Sequence, residues 1–131
     1  IRARLDAARA DLAQMRAQRM VTEGQIEKVK AETEKARAAQ VDMEAQVTRN
    51  EALLADADRI YKRQSDLRTR GFAADAAVDT ARATRDAQEA ALASARAQVN
   101  SAKAALLGLA ADLQVAKANL AAVTAQGQQR E

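Results

Sequence analysis

The stretch RQSDLRTRGFAAD, Arg63 to Asp75, interrupts a chain that otherwise reads as helix. It holds the single phenylalanine, Phe72, and one of four glycines, Gly71. Arg68 and Arg70 put positive charge where the unpaired carbonyls of a helix end would sit. Gly71 can adopt the left-handed conformation that commonly closes a helix. Phe72 follows, where an apolar residue can fold back on the last turn. Asp75 reads as the N-cap of a new helix, with Asp79 just inside its positive end. The stretch is therefore a helix stop followed by a helix start.

The flanking sequence supports this reading. Stepping by three and four from Leu5 gives Ala8, Leu12, Met15, Arg19, Thr22, Ile26, Val29, Thr33, Ala36, Gln40, Met43, Val47, Asn50, Leu54, Ala57 and Tyr61. Most of these are apolar, and the phase never slips. A 3.5-residue period keeps one stripe facing a partner helix. From Val78 a second series runs through Ala81, Arg85, Gln88, Leu92, Ala95, Val99, Ala102, Leu106, Leu109, Leu113, Ala116, Leu120 and Val123. Large residues mostly fill one core position and alanine the other, which suits a tight antiparallel pair. Polar seam residues such as Thr22, Thr33 and Gln40 are expected to be half exposed, and Arg85 is expected near Asp58 and Tyr61, as an ion pair or a cation–π contact.

The two registers fail to join between Thr69 and Asp75. Either the chain reverses there or one continuous helix kinks. Reversal is the expectation: an all-α, long antiparallel two-helix coiled-coil hairpin. Helix 1 is expected over about 2–69, the tip at 70–74, and helix 2 over about 75–127. Facing residue numbers would then add to about 144, and each arm would run about 80–90 Å at 1.5 Å per residue.

Composition agrees with helices packed along narrow seams. Alanine supplies 36 of the 131 residues, proline is absent, and the aromatics are one Tyr and one Phe. The net charge of +3 comes from 21 basic and 18 acidic residues interspersed along the chain, the pattern of a solvated helix face rather than a nucleic-acid surface. Cysteine and histidine are missing, which removes disulfides and soft metal sites. Carboxylates such as Asp56 and Asp58 are two apart and diverge on a helix. No catalytic, cofactor or metal constellation is expected. Nor is a signal peptide, and no apolar run is expected to approach the roughly 20 residues that cross a bilayer.

Arg63 and Leu67, four apart, together with the downstream Asp79 and Ala81, resemble the hairpin tip of periplasmic adaptor subunits (membrane fusion proteins) of tripartite efflux and secretion systems. Such tips carry a serine seven residues past the leucine, and here that position is Ala74. The length of the arms is similar to the EmrA/HlyD-like branch. The resemblance implies a periplasmic hairpin inserted into a lipoyl-like domain and followed by a β-barrel and an inner-membrane anchor, parts this sequence does not contain. It implies a TolC-like outer-membrane channel as partner of the tip, an inner-membrane transporter reached through the other domains, and self-association as a hexamer or trimer of dimers. The tip residues so implicated are Arg63, Leu67, Arg68, Arg70, Gly71, Phe72, Ala74 and Asp75. Leu53 and Ile60, which with Leu67 form a seven-residue series beside the seam, either widen the core or make lateral contacts. Arg59, Lys62, Arg63, Arg68 and Arg70 lie within twelve residues with only Asp66 between them, so the tip reads as basic. Two other readings stand beside this one: a generic coiled-coil scaffold or tether that dimerises in trans, and the arm of an enzyme that grips RNA.

Overall fold

A computed structural model describes residues 1–129. Two helices account for nearly all of them: α1, Arg2–Thr69, and α2, Asp75–Gln128. They form an antiparallel all-α hairpin. Alanine, arginine, glutamine, leucine and glutamate sit at the favourable end of the helix scale, and no proline interrupts them. The chain divides into two compact units, Ala38–Lys103, which contains the reversal, and Ile1–Arg37 with Ala104–Glu131.

In the reversal unit the core alternates large and small side chains. Val78 is fully buried, Leu92 and Val99 nearly so, and Ala57, Ala81 and Ala95 fill the intervening layers. Burying a side chain of valine's size contributes about 1.5–3 kcal/mol. Gln64 shares a groove with Thr80, and Leu54 shares one with Leu92. Arg96 of α2 reaches Glu51 of α1 at 3.4 Å. This pairing agrees, within a turn, with the register read from the heptads.

The other unit repeats the plan with a thinner core. Ile26 and Ala116 are buried, and Val29, Leu109, Leu113 and Leu120 are half-buried. Gln25, Lys28 and Glu32 border a groove with Asn119, Ala116 and Asp112. Thr22 is buried rather than half exposed, with its hydroxyl donating to the Gln18 carbonyl at 2.9 Å. Thr33 donates to the Val29 carbonyl at 2.8 Å. Each hydroxyl is satisfied within its own helix, so the threonine methyl is free to pack in the seam. Gln40, at the edge of the reversal unit, bonds Glu44 at 2.9 Å.

Two expectations are corrected. Leu5, Ala8 and Leu12 continue the heptad series but are exposed. The second correction concerns apolarity. By length and composition α2 is long and apolar enough to cross a membrane, with a window of mean hydropathy 1.3. Alanines on its outer face extend the apolar surface beyond the seam, and Leu107 and Val115 add to it, 74% and 60% exposed.

Candidate docking tip

The reversal is built from backbone hydrogen bonds. The Phe72 N–H donates to the Leu67 carbonyl at 2.8 Å, and the Gly71 N–H to the Arg68 carbonyl at 2.9 Å. This pair of bonds is a Schellman closure, which requires a left-handed residue after the helix. Gly71 provides it with φ +83°, the one positive φ among the described residues. With the Arg70 N–H donating to the Asp66 carbonyl at 3.1 Å, the carbonyls of Asp66, Leu67 and Arg68 in the last turn of α1 are satisfied.

The start of α2 differs from the expected cap. Ala74, not Asp75, is the N-cap: its carbonyl accepts the N–H groups of Ala77 at 3.1 Å and Val78 at 3.4 Å. Asp75 is the first helical residue, and its carboxylate lies 3.6 Å from the Arg68 guanidinium. There it complements the positive end of the helix dipole without accepting a capping bond. Ala74 has no side-chain oxygen to offer, so this helix begins without a side-chain cap.

Charge at the tip is more balanced than the sequence suggested. Arg59 pairs with Asp56 at 3.2 Å, Lys62 with Asp58 at 2.7 Å, Arg68 with Asp75, and Arg70 with Asp66 at 3.4 Å. Helical spacing brings in Asp56 and Asp58 from one turn earlier, and the reversal brings in Asp75. Arg63 alone of the five basic residues has no ion-pair partner among the described residues. Apart from the half-buried Asp58, the partners in these pairs are solvent-exposed, and exposed pairs contribute about 0–1 kcal/mol each.

The apolar tip residues divide sharply. Leu67 is half-buried against the hairpin, whereas Phe72 is 79% exposed. The Phe72 backbone folds back on the last turn as expected, but its side chain does not. Leu53 and Ile60 are each 40% exposed beside the seam.

Behind the tip lies a cluster that sequence reading found only in part. The Arg85 guanidinium stacks 4.4 Å from the centroid of the Tyr61 ring. Its ion pair is with the adjacent Asp86 at 3.0 Å, while Asp58 is taken by Lys62. Arg82, not singled out from the sequence, donates to the Tyr61 hydroxyl at 3.3 Å and lies 5.6 Å from the ring centroid. The hydrogen bond from Arg82, and then its charge, lower the Tyr61 pKa below the usual value. A heptad reading places Tyr61 and Arg85 in the seam. Arg82 lies on the flank, where only the geometry reveals its reach across to α1.

Comparison with protein-family models, with curated proteins and with solved structures finds no match to this chain.

Proposed function

We propose that this chain is the α-helical hairpin of a periplasmic adaptor of the EmrA/HlyD-like kind, serving drug efflux or secretion. In this reading it is a structural and interaction module without catalytic activity. Its tip docks a TolC-like outer-membrane channel. Lipoyl, barrel and membrane-anchoring parts outside this chain connect it to an inner-membrane transporter. Copies associate side by side as a hexamer or trimer of dimers, with Leu53 and Ile60 as the apolar residues available for lateral contact.

The observation that carries the reading is the build of the reversal. A Schellman closure holds Leu67 and Phe72 at the reversal of a compact helical unit that also carries Arg63, which has no ion-pair partner among the described residues. Opposite charge on a partner steers encounter and fixes register, an effect that weakens as salt rises. The trans-dimerising scaffold reading is less favoured, because the seam of α2 from Val78 to Val123, and that of α1 from Thr22 to Tyr61, is buried or half-buried within the same chain.

The test is export by the intact adaptor. Arg63→Asp, on an exposed position, should abolish export while the helical circular dichroism signal stays unchanged. Leu67→Ser should do the same, with a small stability loss because Leu67 is half-buried. Wild-type export by both variants overturns the proposal.

A further inference from the structure

We infer that Phe72 is the anchor by which the tip holds its partner, and that the receiving surface is an apolar pocket bordered by carboxylates. The inference rests on the docking reading and names the residue and the partner chemistry within it.

A Schellman closure commonly packs the apolar residue after the glycine against the residue five positions earlier. Here that pair is Phe72 and Leu67. The backbone bond between them is made, at 2.8 Å, yet the Phe72 ring is 79% exposed. The loop therefore presents the ring instead of storing it. The backbone beneath it is fixed by two hydrogen bonds and by Gly71, so little conformational freedom remains to be lost on binding. Large aromatic side chains on rigid supports are the residues that dominate interface affinity.

The charged surroundings say what the pocket must offer. Arg63 is unpaired among the described residues, and Arg68 and Arg70 hold their aspartates at 3.6 and 3.4 Å in exposed pairs. Such pairs exchange readily for a partner's carboxylates. An anionic bilayer fits less well, because Asp75 and Asp66 lie beside Arg68 and Arg70 and a single ring inserts little apolar surface.

Phe72 is the chain's only phenylalanine, so incorporation of para-fluorophenylalanine gives one fluorine resonance. Adding a purified TolC-like channel should shift and broaden that resonance. Phe72→Ala should weaken binding about thirty-fold, the loss expected of an anchor, with unchanged helicity. If the wild-type chain binds the channel while the resonance stays put and Phe72→Ala binds equally well, the anchor is overturned and docking stands. If the wild-type chain does not bind the channel, docking and anchor fall together. A resonance that moves with phosphatidylglycerol vesicles, and not with the channel, would overturn the inference by assigning Phe72 to lipid.

Discussion

Replacing glycine by alanine should change stability in opposite directions at two sites in this chain, and the backbone alone decides the sign. Gly71 has φ +83° and nothing within 4 Å of the place a Cβ would occupy. A methyl group there meets no neighbour, so its cost is that of holding an L-residue in the left-handed region, about 1–2 kcal/mol. Gly108 also has open space around its missing Cβ, but it lies in the interior of α2 with helical backbone. Alanine there removes backbone freedom from the unfolded chain and should stabilise by about 0.5–1 kcal/mol. Urea unfolding followed by circular dichroism at 222 nm measures both. Since neither site has a neighbour to share, the double variant should lie near the sum of the two, within about 0.5 kcal/mol. A neutral or stabilising Gly71→Ala would refute the left-handed closure, and with it the reasoning that makes this glycine the reversal point.

Two further outcomes follow from the tip geometry. Ala74→Ser would supply the missing capping oxygen and should raise stability by about 0.5–2 kcal/mol in the same unfolding assay; no gain would show that Ala74 is not the N-cap. Tyr61, the only tyrosine, should titrate below the usual value of 10.0, with its ultraviolet absorbance change moving back towards 10.0 in Arg82→Gln. A depressed folded-state pKa contributes stability that is present above 10.0 and is lost as pH falls through the lower folded value. Wild type should therefore gain stability relative to Arg82→Gln as pH rises through that window, and identical titrations would dismiss the Arg82 hydrogen bond.

The hairpin was legible because its determinants are periodic and local. Every member of the series from Val78 to Val123 is buried or half-buried in the structure, since a seven-residue repeat can face only one partner. Gly71 was legible because few residues other than glycine accept its φ. The tip's surface was less so. Whether Arg68 meets Asp75 depends on how the loop brings two helices together, and whether Phe72 packs or protrudes depends on side-chain placement that no spacing encodes. Ala74 shows the difference. Reading along the chain, Asp75 is the better capping residue, but the carbonyl that begins α2 belongs to its neighbour.

Docking by the tip is tested most directly by site-specific photocrosslinking of the chain to a purified TolC-like channel. A benzophenone side chain should replace Arg70 at the reversal in one sample and exposed Ala31 of the other unit in a second. The account predicts a crosslinked product with the channel from position 70 and none from position 31. Crosslinking from position 31 alone, or from neither position, would contradict it.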